Sequence, residues 1–384
     1  MTLDTVPFLE LTRFDETIVG EATEAFQRFF TSGQYILGGE VSGFEKACAE
    51  ALGTKHALGV SSGTDALILA LMSLGIGQGD EVVCPTFTFF ATAGAIHRVG
   101  ATPVFADIEL SDFNSSAEQI ARHITPSTKA IMPVHLFGQC ADQDKLRKLA
   151  KDNDVALIED AAQAFGAHPG VAANGAGAVG DYGCFSFFPS KNLGGFGDAG
   201  LVTTQDDTLA EKARIMRTHG GKPKYYHSVV GGNFRMDPIQ AILLGLRLKR
   251  LDAATAGRIA NAEAYTARFR DAGIGAPNEG QKDVDLAWPT VVRGHHIFNQ
   301  YTLRVGKGRR DALREHLDAK GVGSQIYYPV PMHLQPCFRY LEHKKGDFPN
   351  SERGADEAIS LPIFPELTPD EINYAADQVI AFFK

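Results

Sequence analysis

Three short stretches carry side chains whose types and order could do chemistry. In VALIEDAAQAFGA (155–167) four apolar residues end in Glu159 and Asp160. A carboxylate leaving a buried strand needs a partner, because an ionised group in an apolar interior is costly unless it is paired. A structural salt bridge is the common solution for Asp160; a protonated ring nitrogen is the sharper one. In FSFFPSKNLGGFGDAG (185–200) a single lysine, Lys191, separates an apolar, β-prone run from a glycine-rich stretch. An amine whose charged form is disfavoured by neighbours such as Phe187 and Phe188 can lose its proton and attack a carbonyl. Taken alone, a lysine after a strand is most often a solvated side chain. In SSGTDAL (61–67) small residues lead into a helix. The N–H groups of a helix N-terminus, with hydroxyls from Ser62 or Thr64, suit a phosphate. A capped helix with a tight turn accounts for that stretch equally well.

The combination is more specific than its parts. A phosphate-type turn, a buried acid and a lysine, each following a β-strand, are the groups a pyridoxal phosphate site requires. Lysine forms the Schiff base, aspartate faces the pyridinium nitrogen and a helix N-terminus holds the phosphate.

The elements that must position these groups alternate in type. HALGVSS (56–62) reads as a strand and TDALILALMSLG (64–75) as a helix capped by Ser62, Gly63 or Thr64. The same alternation runs through DEVVCPTF, the helix of FFATAGAIHRVG, TPVFADI, AIMPVHLFG, the helix DQDKLRKLAKDN, VALIED, YGCFSFF and AGLVTT. That is the pattern of βαβ units around a mainly parallel sheet, whose ligands sit at the carboxyl ends of the strands. Beyond the helix LAEKARIMRTHG, a Gly-, Lys- and Tyr-rich loop (220–232) leads into a long helical stretch from Met236 to Gly273. FNQYTLRV (298–305) and SQIYY (324–328) read as strands and RRDALREHLDAKG as a helix, which makes a compact α+β unit. Two units are expected, 1–250 and 251–384, with the N-terminal segment able to pack against the smaller one.

Composition limits the function classes. The chain has 384 residues, 44% hydrophobic and 22% charged, as expected of a packed globular protein long enough for two domains. A net charge of -9 argues against a nucleic-acid surface, and the basic runs LRLKR and GKGRR are short. No apolar run approaches the ~20 residues of a membrane span, and the acidic start MTLDTVPFLE is unlike a secretory signal. A cytoplasmic protein is expected. The five cysteines are dispersed and form no CxxC pair, and His135, His168 and His333 are scattered, so no metal site is expected.

Six ordered stretches also resemble one family: SSGTDAL, PTFTFFATA, EDAAQAFGA, SFFPSKNLGGFGDAG, GGNFRMDPIQAILL and YYPVPMHLQP are similar to the DegT/StrS-type nucleotide-sugar aminotransferases. The likeness extends from about residue 7 to the C-terminus. It implies the α/β fold of fold-type I pyridoxal phosphate enzymes: a large domain with a mainly parallel seven-stranded sheet and a smaller C-terminal α+β domain. It also implies roles for matching positions. Lys191 would bind the cofactor covalently, Asp160 would keep its ring nitrogen protonated and Gln163 would meet the ring hydroxyl. Phe89 would stack on the ring, and Gly63, Thr64 and Ser186 would hold the phosphate. Asn233 would reach the phosphate of the partner subunit, making the active site a property of a homodimer. Arg235, Tyr327, Tyr328 and His333 would face the sugar, His333 having a packing role as an equal alternative.

The resemblance implies ping-pong transamination from L-glutamate to a keto-sugar, with lysine at position 191 where dehydrating relatives carry histidine. Tyr327 stands where relatives often have histidine, which leaves the sugar open. The glycines after Lys191 could give the loop freedom for a large substrate, or simply form tight turns. Three other readings remain: an acceptor that is a free keto or aldehyde sugar or cyclitol, a non-catalytic binding protein with the same fold, and a dinucleotide enzyme using LGGFGDAG. The last is disfavoured, because those glycines follow a lysine instead of directly ending a strand and opening a helix.

Overall fold

The computed structural model describes residues 5–13, 16–170 and 175–384. Seven short strands form the large sheet: β1 (His56–Val60), β2 (Glu81–Pro85), β3 (Thr102–Ala106), β4 (Thr128–Ile131), β5 (Ala156–Asp160), β6 (Tyr182–Ser186) and β7 (Gly200–Thr204). Their order is β1-β7-β6-β5-β4-β2-β3. Every pairing is parallel except those of β7, which runs antiparallel to both β1 and β6. Most residues in these strands are buried, as a sheet covered on both faces requires.

Helices α1 (Glu16–Ser32) and α2 (Gly39–Leu52) precede the sheet; α3 (Gly63–Ser73) and α4 (Ala91–Arg98) follow β1 and β2. Seven of the eleven residues of α3 are buried, so this helix is apolar nearly all round and belongs to the main core with Leu58, Val60, Ile158 and Tyr182. The expected long helical stretch is two helices, Pro238–Leu248 and Leu251–Asp271, separated at Lys249 and Arg250.

A second sheet, ordered β11-β10-β9-β8, comprises β8 (Ala276–Pro277), β9 (Leu286–Trp288), β10 (Tyr301–Val305) and β11 (Ala358–Leu361). It has its own core, in which Tyr265, Phe269, Leu303 and Leu317 pack with Ile372 and Val379. Val6 joins this core, and its backbone bonds both Gly321 O and the Gly323 N–H at 2.9 Å. We propose that the boundary between the units falls at Lys249 and Arg250, with the N-terminal segment belonging to the smaller one.

SQIYY is not a strand. Gln325 exchanges one pair of backbone bonds with Ser360, at 3.1 and 2.7 Å, and the chain then delivers Tyr327 and Tyr328 to a cavity beside the large sheet. The β-prone composition reflects the packing of the two tyrosines and is not ladder pairing.

Candidate active site

Strand β5 delivers two acids to opposite faces, as alternation along a strand requires. Glu159 turns inward, where its carboxylate accepts from His135 Nε2 at 2.8 Å, Gln143 Nε2 at 2.6 Å and the N–H groups of Val179 and Gly180 at 2.8 and 2.7 Å. It fastens the turn before β6 and leaves no lone pair for chemistry. Asp160 instead lies on the cavity wall, 4% exposed. Thr92 Oγ1 donates to its Oδ2 at 2.7 Å and the Ala162 N–H to its Oδ1 at 3.2 Å. Burial pushes the Asp160 carboxyl above the usual carboxylate range, opposed by the Thr92 bond and by Lys191.

Strand β6 ends at Ser186, and the chain closes a turn in which the Lys191 N–H bonds Phe188 O at 2.8 Å. The Lys191 side chain lines the same cavity as Asp160. Burial pulls its amine down to about 8, with Asp160 acting in the other direction. The glycines that follow are packed. A Cβ on Gly194 would stand 2.3 Å from Pro189 O, and the Gly195 backbone N–H holds Phe187 O at 2.8 Å. Of the two readings of this run, the structure favours tight turns: these two glycines permit close backbone approach.

The third wall is the start of α3. Ser62 is its cap, the side chain accepting from the Asp65 N–H at 3.0 Å. The Gly63 and Thr64 N–H groups belong to the first turn, which has no intrahelical acceptors, and both residues line the cavity. Gly63 is fixed by space, since a Cβ there would lie 2.6 Å from Ser186 Cβ. Gly63→Ala should therefore push α3 away from β6, costing about 1–3 kcal/mol of stability by overpacking. It should also weaken cofactor binding at least tenfold, by the ~1.4 kcal/mol arithmetic of affinity. Thermal denaturation and a pyridoxal phosphate titration would check both.

The cavity has a volume of about 460 Å³. Phe89, 59% exposed, presents its ring there beside Tyr328, the centroids 6.1 Å apart. Gln163 is held at both ends of its amide, accepting from the Phe137 N–H at 2.6 Å and donating to the Tyr328 hydroxyl at 3.0 Å. Burial pushes the Tyr328 phenol up, so it remains a hydroxyl and can donate. Thus Lys191, Asp160, Gly63, Thr64, Phe89, Gln163, Ser186, Tyr327 and Tyr328 converge on one space.

Thr88, Ser190, Asp198 and Gln300 also line the space but were not anticipated. Thr88 lies inside PTFTFFATA, where its phase relative to Phe89 was the available signal; Gln300 lies in a segment read as strand.

Three expected residues are elsewhere. His333 is buried and is not on the walls of this cavity, which favours the packing role given above as the alternative. Its Nδ1 meets Thr86 Oγ1 at 2.8 Å and its Nε2 meets Glu352 Oε1 at 3.1 Å, tying the 330–352 segment to the end of β2. Asn233 and Arg235 are not on the walls of this chain's cavity. They sit in a segment bridged to Thr218 and Val60, with Asn233 exposed. Among the described residues no group of three or more His, Cys, Asp or Glu could hold a metal, and no helix is long and apolar enough to cross a membrane.

These residues fit pyridoxal phosphate on the structure's own terms: a desolvated amine, a buried carboxylate and a glycine cradle at a helix start surround one cavity. Fold and site together define a fold-type I, pyridoxal phosphate-dependent aminotransferase. The chain belongs to the DegT/DnrJ/EryC1/StrS aminotransferase family, whose pattern matches residues 16–380. It is 42% identical over 381 residues to a pleiotropic regulatory protein of Geobacillus stearothermophilus, covering 99% of each chain. It is 42% identical over 363 residues to the dTDP-3-amino-3,4,6-trideoxy-alpha-D-glucose transaminase of Streptomyces venezuelae, covering 94% of this chain and 92% of that one. The crystal structure of S. venezuelae DesV in complex with a ketimine intermediate superposes with a TM-score of 0.90 at 39% identity, covering 99% of both chains.

Proposed function

We propose that this aminotransferase moves an amino group from L-glutamate to a keto-sugar carried on a nucleotide, for amino-sugar biosynthesis. The observation that carries the reading is the placement of Lys191 and Asp160 on one cavity wall, each with its ionisation altered by burial. Asp160 would meet the ring nitrogen, Gln163 the ring hydroxyl and Phe89 the ring face, while Gly63, Thr64 and Ser186 would hold the phosphate. Pyridoxal phosphate supplies the electron-withdrawing ring that accepts the pair left when a donor's α-proton departs. Lys191 Nζ would hold the cofactor and, when free, would be the base that takes the proton from the donor's α-carbon. Tyr327 and Tyr328 face the sugar.

The exposed Asn233, followed by Arg235, supports a homodimer in which each subunit completes its partner's site. Exposed Tyr225, Tyr226 and Val230 on the preceding loop are apolar surface that such a dimer would cover. We place the enzyme in the cytoplasm, in keeping with its free cysteines.

The test is the absorption spectrum of protein loaded with pyridoxal phosphate, before and after L-glutamate, followed by borohydride reduction and peptide mapping. A yellow band bleached by glutamate, with the adduct on Lys191, supports the reading. Absence of both would leave the binding-protein alternative, which the name of the G. stearothermophilus relative keeps in play. Profiling bleached enzyme against nucleotide-linked keto-sugars, free keto-sugars and cyclitols would identify the acceptor.

A pH dependence follows from the depressed Lys191 amine. Only the neutral amine captures the cofactor, so the capture rate should rise roughly tenfold per pH unit and level off above about 8. A flat rate across neutral pH would show that the amine is not desolvated.

A further inference from the structure

Two hydroxyls stand behind Asp160 that the transamination scheme above does not use. Thr92, in the first turn of α4, is wholly buried, and its Oγ1 lies 2.7 Å from Asp160 Oδ2. Thr88, 1% exposed, places its Oγ1 3.0 Å from Thr92 Oγ1. A hydroxyl has one proton, and an ionised carboxylate only accepts. The Thr92 proton therefore goes to Asp160, and Thr92 must accept the proton of Thr88. The geometry makes a one-way relay, Thr88 to Thr92 to Asp160.

The remaining groups facing Asp160 give it little support. Two basic groups lie near it, Lys191 and His135, and the Lys191 amine is engaged when it binds the cofactor. His135, beyond the end of β4, turns its ring away: Nδ1 accepts from the Ala141 N–H at 3.0 Å, which leaves the Nε2 proton for Glu159. Tyr328 and the Cys84 and Cys184 thiols lie close, and burial keeps all three protonated. Glu159 is the adjoining acid, committed to its own donors. Besides the Ala162 N–H, Thr92 is thus the fixed donor that orients this carboxylate.

We propose that Thr92 is a positioning residue of the aminotransferase: its hydroxyl, aimed by Thr88, fixes the Asp160 carboxylate and keeps it anionic for the cofactor's ring nitrogen. The inference rests on the assignment of Asp160 to that nitrogen. Thr92→Val removes the hydroxyl at nearly constant shape, Thr92→Ser keeps it, and Thr88→Val removes only the outer member.

The test loads each holoprotein with pyridoxal phosphate labelled with nitrogen-15 and reads ring-nitrogen protonation by NMR. Thr92→Val should move the signal toward the unprotonated position, Thr92→Ser should restore it and Thr88→Val should fall between. Glutamate-driven bleaching should slow about tenfold in Thr92→Val, the scale of one charge-assisted hydrogen bond. A Thr92→Val protein with the wild-type signal and rate overturns the proposal. If Thr92→Val does not fold, Thr88→Val decides by the same signal. Borohydride mapping of the wild type separates the two levels. No adduct on Lys191 removes the site assignment and this inference with it; an adduct with an unmoved signal in the variant overturns this inference alone.

Discussion

Lys191→Ala should lose turnover by on the order of 10⁴-fold or more, because on the proposed assignment one side chain supplies both the covalent attachment of the cofactor and the proton transfer. Borohydride should then leave no adduct. The cavity itself should survive, since the backbone N–H of Lys191 and not its amine closes the turn onto Phe188. Pyridoxamine phosphate, which needs no attachment, should still bind through the α3 start, Gln163 and Asp160. Equilibrium dialysis with that ligand separates lost chemistry from lost structure. A Lys191→Ala protein that retains transaminase activity would move the catalytic amine elsewhere.

Asp160→Asn should slow both half-reactions by roughly 10²–10⁴-fold, the range for a group that stabilises charge developing in the transition state. Its effect on the cofactor-free protein should have the opposite sign. Asparagine is nearly isosteric and can still accept from Thr92, while a buried charge is removed from a desolvated position. A carboxyl whose pKa is raised on folding binds more protons in the native state over the interval between its unfolded and folded values. Apo-protein stability therefore falls as pH rises through that interval. Asp160→Asn abolishes this dependence, so the variant should melt at or above the wild-type temperature at neutral pH. Stopped-flow bleaching and thermal melts at several pH values would register the two opposite effects; a variant as fast as wild type would remove Asp160 from the ring nitrogen.

Much of the site was legible because strands that end in reactive residues announce both the element and the direction in which it delivers them. VALIED, YGCFSFF and HALGVSS correspond to β5, β6 and β1, so Asp160, Lys191 and Gly63 could be expected on one edge of a sheet. The strand order could not be read, because antiparallel β7 lies between β1 and β6 through crossovers that leave no mark on local periodicity. Side-chain partners were hidden for the same reason. Nothing near Thr92 indicates Asp160, 68 residues away, and nothing near His333 indicates Thr86 and Glu352. SQIYY shows the converse error: a β-prone run whose tyrosines serve a cavity and whose backbone touches the edge of the smaller sheet only at Gln325.

The smaller core draws on Val6 near one end of the chain and on Val379 near the other. The seven strands of the large sheet, by contrast, have all appeared by Thr204. As the polypeptide emerges from the ribosome, the strands of the large sheet have all been made while the smaller core still waits for β10, β11 and the helix Pro369–Phe383. The segment around Val6 can meet Gly321 and Gly323 only once those residues have been made, and Tyr327 and Tyr328 likewise reach the cavity after the strands that wall it have been synthesised.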